Sequence, residues 1–467
     1  MRKYLRNITV GAALLLLAGS CTDKFEEYNT NQYQIHDADP ATLMKSMIET
    51  IVNIQQNDSQ MQDQMVGQLG GYLCCSNTWS GTNFSTFNQS DAWNATPWNT
   101  PFEKIYGNFF QIQEATNSTG HYYAFACMIR AITMLRVADC YGPMPYSQVK
   151  KGNFYVSYDT QEQVYTSILS DLANAADVLY NYYVETNGNA PLGANDPVFD
   201  GNYSGWAKLA NSMRLRVAMR ISGAWPGIAQ EAAEAAVTHK AGLIESNSDN
   251  AMLSCGTQSN PYQLAAVSWG DLRVNANIVD YMNAYDDPRM SKFFNKSTLA
   301  GKTDQYVGMR TGDADFKKAD AAGFSTPAYT ATSKLMVFCA AETAFLRAEG
   351  KLRGWNMGSK TAKAYYEDGA FYIVTYAKSA KMLQLERNSS CAICGEWFSV
   401  RAKGGNLGWF RREENRQIAV ALRRVFAEWI DNGHNNFDDP DCIILKLRLL
   451  SGTLYSHGTR YAIDFTA

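Results

Sequence analysis

Three tryptophans, Trp79, Trp93 and Trp98, fall close together in a polar stretch that also holds Ser76-Asn77-Thr78, Ser80-Gly81-Thr82-Asn83, Pro97 and Pro101. Trp269 lies in similar Gly-containing surroundings. A ring kept among polar residues offers its π-face to the C–H face of a sugar, while Asn, Gln and Asp side chains suit hydroxyls and amides. One ring contributes only about 1 kcal/mol, so a platform needs several. The alternative is that these rings plug an irregular part of the fold, since large aromatics are mostly buried. Carboxylates offer a second chemistry. Asp196, Asp200, Asp313 and Asp315 stand in loop sequence, and a glycoside hydrolase needs two carboxylates across one bond. Loop acids more often cap helices or face water, and the sequence pairs none of these four. Thiols offer a third. Cys391 and Cys394 form a CxxC, but only Cys442, His434 and His457 follow, at loose spacing. A zinc site wants a second CxxC or a close His pair, so neither a metal nor a cofactor is expected. Ten cysteines in 467 residues are too sparse for a disulfide scaffold, and most read as small buried hydrophobes.

Cys21 is different. Arg2, Lys3 and Arg6 precede an apolar run from Val10 to Leu17, and Ala18-Gly19-Ser20 leads into Cys21. A basic flank, a short apolar core and small residues before a cut make a secretory signal. The run is far shorter than the roughly 20 residues that span a bilayer. The pattern resembles a bacterial lipobox, whose cysteine is acylated and becomes the first mature residue. Thr22-Asp23-Lys24-Phe25-Glu26-Glu27-Tyr28 follows, short and acidic. It resembles the export tag of surface lipoproteins and also reads as a flexible tether. Loss of residues 1–20 takes the formal charge from −3 to −6 by removing Arg2, Lys3 and Arg6. That balance does not suit a nucleic-acid partner.

The elements that would hold these residues are helical. Residues 41–75 read as helix from Met44, Met47, Ile48, Ile51 and Val52. A long loop over 76–101 follows, then helices over 102–116 and 121–140, the second striped with Phe125, Met128, Ile129, Ile132 and Leu135. Asp159-Thr160-Gln161-Glu162 marks a capping box before a stripe of Val164, Ile168, Leu172, Ala175 and Leu179. Further helices are expected from Ser204, over 227–239, over 335–353 and over 359–376, with polar Gly-rich loops over 245–271 and 297–333. Paired helices separated by variable loops suggest TPR-like hairpins. Strand signals are few, so the fold class is mainly α, with long irregular loops facing a ligand.

Several motifs then occur in one order. They are Asp139-Cys140-Tyr141-Gly142-Pro143-Met144-Pro145-Tyr146-Ser147, Tyr158–Tyr165, Gly201–Arg220 with its Ala210-Asn211-Ser212-Met213-Arg214-Leu215-Arg216, Asp286-Asp287-Pro288-Arg289-Met290, Ala340–Gly350 with Arg353-Gly354-Trp355, and Ala364-Tyr365-Tyr366-Glu367-Asp368-Gly369. Together with the lipobox they resemble the SusD-like (SusD/RagB) outer-membrane nutrient-binding lipoproteins. The resemblance implies a helical fold with TPR-like pairs and an irregular ligand-facing part. It also implies no catalytic residues, an oligosaccharide or peptide ligand, and a SusC-like TonB-dependent transporter as partner. Arg214, Arg216 and Arg220 with Glu342 and Glu349 read as ion pairs between helices, because partly buried charge needs a partner. Trp206 and Trp355 read as core.

The last quarter departs from that pattern. Residues 371–467 hold 9 Arg and 4 Lys against 12 Arg and 17 Lys before them, and carry +3 against −9 for residues 21–370. This tail is either a divergent region or one translated out of frame; reading the gene in its other two frames decides between them. The expected organisation is a signal peptide over 1–20, a lipidated acidic tether over 21–40, a helical body over 41–370 and the divergent tail. The leading function is a surface-exposed, lipid-anchored binding lipoprotein of the outer membrane. A TPR-like protein scaffold and a glycoside hydrolase are the alternatives.

Overall fold

The computed structural model describes residues 39–54, 68–77, 79, 86–88, 90–285, 287, 289–312, 317–362, 365, 372–395, 398–425, 430, 435–456 and 459–464. The signal peptide, Cys21 and nearly all of the tether lie outside these residues, as do Asp313 and Asp315 and the side chain of Cys394.

Helix α1 (Pro40–Ile48) starts at Asp39, whose carboxylate accepts from the Ala41 amide at 3.2 Å, and buries Met44, Met47 and Ile48. The helix expected to run to residue 75 ends here: residues 49–53 form turns, and residues 55–67 lie outside the described residues. At its expected far end stands a strand, β1 (Leu73–Cys75). Helix α2 (Asp91–Thr116) corrects the sequence reading the other way. It begins eleven residues before the expected start at 102 and carries Pro97 and Pro101 inside it. Interior proline costs a helix about 3 kcal/mol. Ser90 caps the first turn at 3.2 Å, and both prolines are buried among Ile105, Tyr106 and Phe109. Packing and capping override the local signal, and Trp93 and Trp98 lie on a helix rather than in a loop.

Helices α3 (Gly120–Tyr141), α4 (Gln161–Glu185), α5 (Tyr203–Ile221) and α6 (Pro226–Thr238) pack in succession behind α2. Their facing stripes make one core that includes Phe125, Ile129, Leu172, Trp206 and Val217. Thr160 and Gln163 form the capping box of α4, one residue beyond the expected start at Asp159. Asp159 instead accepts from the amides of Tyr146 and Ser147 at 3.0 and 2.6 Å and from the Ser147 hydroxyl. Beside it, the Arg130 guanidinium sits between the rings of Phe109 and Tyr146 at 4.5 and 4.6 Å. It donates to Asp171 at 2.7 Å, and the Tyr146 hydroxyl donates to the same oxygen at 2.6 Å. The Pro145-Tyr146-Ser147 segment is thus structural.

The ion pairs fall partly as expected. Arg216 reaches Glu342 of helix α7 (Ala340–Leu352) at 2.5 Å, under the ring of Phe338. Arg220 turns instead to Asp139 on α3 at 2.9 Å, and Glu349 pairs with Arg353 in its own turn at 2.6 Å. Arg214 is partly buried, with Asp177 and Glu231 as its nearby charges rather than Glu342 or Glu349. Trp206 and Trp355 are buried.

An irregular unit lies against these helices. Strand β1 pairs antiparallel with β3 (Leu272–Val274), and β2 (Ala251–Leu253) with β4 (Leu335–Phe338). The helix expected over 335–353 is therefore a strand followed by α7, since Leu335-Met336-Val337-Phe338 finds a partner edge. Within this mainly helical fold, the tail concentrates the longer strands. Strands β5 (Tyr372–Tyr376), β6 (Ser390–Gly395), β7 (Phe398–Trp409), β8 (Cys442–Ser456) and β9 (Thr459–Asp464) form one antiparallel sheet in the order β5-β8-β7-β6, with β9 on β8. The expected helix over 359–376 thus ends in strand. Val400, Ala402 and Leu449 join the main core, while Phe410, Cys442 and Ile444 pack with Ala419 and Leu422 in a second one.

Candidate functional site

The site is built where β1 leaves the sheet. Cys75 pairs with Leu272, and the chain beyond it is tied down by side chains. The Ser76 amide donates to the Asp271 carbonyl at 2.9 Å, and its hydroxyl to the Gly270 carbonyl at 2.6 Å. Asn77 donates to the Asp271 carboxylate at 3.0 Å, which also takes Lys318 at 2.5 Å. The Asn77 side-chain oxygen then accepts the Trp79 amide at 3.1 Å, and Trp79 takes the left-handed backbone, φ +35°. Asn readily caps such a turn. A turn so fixed aims the following ring.

That ring meets Trp93. The two indoles lie 4.8 Å apart at 85°, edge to face, and both are half-buried. Trp93 occupies the capped first turn of α2. The structure thus joins Trp79 and Trp93, fourteen positions apart in the sequence.

Trp98 does not join them. Five positions along a helix, it points about 140° away around the axis. Its ring packs on Phe102 at 5.1 Å, on Tyr141 edge-on at 5.4 Å, and parallel to Tyr158 at 5.9 Å. Trp269 is half-buried among Leu73, Ala265, Ala266 and Leu272, closing the turn that carries Gly270 and Asp271. Its surroundings fit a plug that braces the Trp79 loop. Of the four loop acids, Asp196 is committed elsewhere, and Asp313 and Asp315 lie outside the described residues. Asp196 is buried and accepts from the amides of Val198, Phe199 and Gly201 at 2.9, 3.1 and 2.8 Å and from the Trp206 indole at 2.7 Å. Asp200 sits at φ +53° in the same turn.

At the other end of β1 is a cavity of about 220 Å³, lined by Gln68, Leu69, Gly71, Phe87, Asn275, Asn277 and Thr311. Carboxamides and a hydroxyl form one wall and an exposed Phe87 ring the other. Asn275 is rigid: it donates to the Leu73 carbonyl at 3.2 Å and to Thr311, and accepts from the Asn277 amide at 2.9 Å. Thr311 arrives because the chain at Met309 pairs with Val274 and Ala276 at 2.8 Å each. This approach needs Gly308, where a Cβ would overlap the Ala276 backbone. Arg273 ties the unit together from within, donating to the carbonyls of Ala321, Ala266 and Leu272 at 2.7, 3.1 and 2.6 Å. Burial lowers its pKa and pushes the neighbouring Cys74 and Cys75 thiols up to about 11 and about 12. Such thiols stay protonated and inert near neutral pH.

The cavity residues carry no local motif, because they converge from four separated segments. Phe87 shared the polar, aromatic surroundings that single out Trp79, and that signal could have found it. The edge-to-face indole pair offers apolar faces, and the amide-lined cavity at the other end of β1 offers partners for hydroxyls or amides.

Comparison with known proteins agrees with this architecture. A family model described as "SusD-like: Susd and RagB outer membrane lipoprotein" matches residues 22–377. A SusD-like protein from Bacteroides thetaiotaomicron VPI-5482 is 35% identical, with a TM-score of 0.66 over 71% of this chain and 69% of that one. A SusD homologue from Bacteroides ovatus ATCC 8483 is also 35% identical, with a TM-score of 0.64 over 71% and 68%. A chitin-binding SusD homologue from Flavobacterium johnsoniae is 31% identical, with a TM-score of 0.66 over 71% and 69%. No curated protein matches. On these matches, which span most of the helical and irregular units described above, the chain belongs to the SusD-like family of outer-membrane lipoproteins.

Proposed function

We propose that this protein is a surface-exposed binding lipoprotein that captures oligosaccharides and delivers them to a SusC-like TonB-dependent transporter. The observation that carries the reading is the Trp79–Trp93 pair at 4.8 Å, two half-buried indoles held edge to face. One relative of similar fold is described as chitin-binding, which supports a glycan over a peptide. The protein binds without catalysis: Asp196 spends its lone pairs on backbone amides and an indole. The proposed organisation is a signal peptide over 1–20, a lipidated acidic tether over 21–40, a ligand-binding body over 41–370 and a divergent C-terminal region over 371–467. Cys21 carries the lipid.

Three measurements test this. Screening the purified protein on a glycan array should find a polysaccharide class; binding only to peptides would replace the ligand, and binding to neither would end the reading. Cys21→Ala should move the protein from membranes to the soluble fraction, and continued sedimentation with the outer membrane would exclude lipid anchoring. Mild detergent extraction should co-purify a large β-barrel; monomer alone, where other outer-membrane complexes survive, counts against the transporter partner.

A further inference from the structure

The cavity at the Gly71 end of β1 restricts the charge of anything that enters it. Among the described residues, none that lines its space of about 220 Å³ is acidic, basic or histidine. Asn275 and Gln68 in its wall are buried, 1% and 4% exposed. A carboxylate, sulfate or ammonium group that shed its water here would meet no opposite charge, and uncompensated charge is costly to bury. The lining therefore favours a neutral occupant.

The lining also carries two kinds of surface. Leu69 and Phe87 are 61% and 77% exposed and offer only carbon. Phe87 is held in left-handed backbone, φ +56°, which a bulky residue rarely adopts. The amides differ in what they have left to give. Asn275 spends both side-chain N–H donors on the Leu73 carbonyl and the Thr311 hydroxyl oxygen. Asn277 bonds through its backbone amide, to the Asn275 side-chain oxygen, and its own carboxamide makes no bond to the protein among the described residues. That carboxamide nitrogen stands 3.6 Å from where a Cβ on Gly71 would be, and Gly71 takes φ +75°. One unspent carboxamide and an apolar wall thus share one neutral cavity.

We infer that this cavity selects oligosaccharides that contain N-acetylated amino sugars, by taking their acetamido group. The acetamido group is neutral, its carbonyl accepts from a carboxamide N–H, and its methyl suits the carbon of Leu69 and Phe87. A sugar hydroxyl is neutral but leaves the apolar wall in water, and a free amino or acid sugar brings in charge. The inference rests on the glycan-binding reading above. It concerns the opposite end of β1 from the Trp79–Trp93 pair, so it can fail while that reading stands.

Chitohexaose, cellohexaose and hexaglucosamine test it, because they share one β-1,4 backbone and differ at C2 in acetamido, hydroxyl and ammonium. Wild type should bind chitohexaose about tenfold more tightly than cellohexaose, the scale of one well-placed small group, and hexaglucosamine weakest. Where the glycan array favours another backbone, its N-acetylated and de-N-acetylated forms replace these probes. Asn277→Asp keeps the side-chain shape and puts a carboxylate in the first turn of the helix Ala276–Ala284, where negative charge is tolerated. It should lose the tenfold preference and bind hexaglucosamine more tightly than wild type does. Leu69→Ser, at an exposed position, should narrow the preference and melt like wild type. Equal wild-type affinity for the acetamido and hydroxyl forms, or array binding confined to glycans without acetamido groups, overturns the inference and leaves capture at Trp79 and Trp93 standing. A preference unchanged in both variants also overturns it, because the selecting group then lies outside this cavity. A wild type that binds no glycan removes the inference together with the reading beneath it.

Discussion

Trp206 and Trp79 are the same residue type put to opposite uses by the regions around them. Trp206 lies on α5 in the helical layer, fully buried, with its indole N–H on Asp196 at 2.7 Å. The helix satisfies its own backbone, so its side chains are free to interlock with Phe125 at 4.7 Å and Phe199 at 5.3 Å. Trp79 lies in the irregular unit, beyond the end of the short β1–β3 ladder. Ser76, Asn77 and Asp271 supply the missing partners and hold the ring half out of the core against Trp93. One region turns aromatic area into stability. The other uses side-chain hydrogen bonds to keep aromatic area in contact with water.

The sharpest break in that contrast is Trp206→Ala. It empties a packed core site and strands Asp196, and should cost about 3–5 kcal/mol in chemical denaturation. A loss below about 1 kcal/mol would mean that the helical layer does not depend on this ring. Trp79→Ala and Trp93→Ala come next. Each should weaken ligand binding by about 1–3 kcal/mol in calorimetry with little movement of the melting temperature. Early melting with normal binding would make them plugs like Trp269 and erase the contrast.

The smallest effect concerns His121, in the helical layer. Its ring stacks near Tyr122 and Tyr182 at 4.3 and 4.0 Å and shares a 3.0 Å hydrogen bond with the Tyr203 hydroxyl. Burial lowers its pKa below the ordinary value. The unfolded chain therefore takes up the proton first, so the stabilising contribution is complete above about pH 6.5 and declines as pH falls below it. Melting temperature should drop between neutral pH and about pH 5.5, and His121→Gln should flatten part of that slope. An identical slope in the variant would place the titration elsewhere.

The stripes of α3 and α4 were legible because a 3.6-residue period over more than twenty positions has one outcome in water, a buried face. That charges on these helices would pair was legible, since half-buried charge needs an opposite charge, but among Arg214, Arg216, Arg220, Glu342 and Glu349 only the structure selected Arg216 with Glu342. Helix α2 was not. Pro97, Pro101 and the polar residues around Trp93 locally oppose a helix, and only the core beneath Ile105 and Phe109 reverses that balance. The strands of the tail were missed where Tyr372-Ile373-Val374-Thr375-Tyr376 read as the end of a helix. Its partner, Cys442–Lys446, lies some seventy residues away.

By itself, the sequence determined the family, the mainly helical class, the buried places of Trp206 and Trp355, and which residue types could meet a ligand. These follow from local periodicity, from ordered motifs and from the chemistry of side chains. Only the tertiary structure decided that Trp79 meets Trp93, that Trp98 turns to Tyr158, and that Asn275 and Thr311 close a cavity with Phe87. Those contacts join segments far apart in the chain, through backbone approaches such as Gly308 on Ala276. Pairing over such separations depends on which strand edges and helix faces remain free once the core has formed, and no local stretch of residues encodes that.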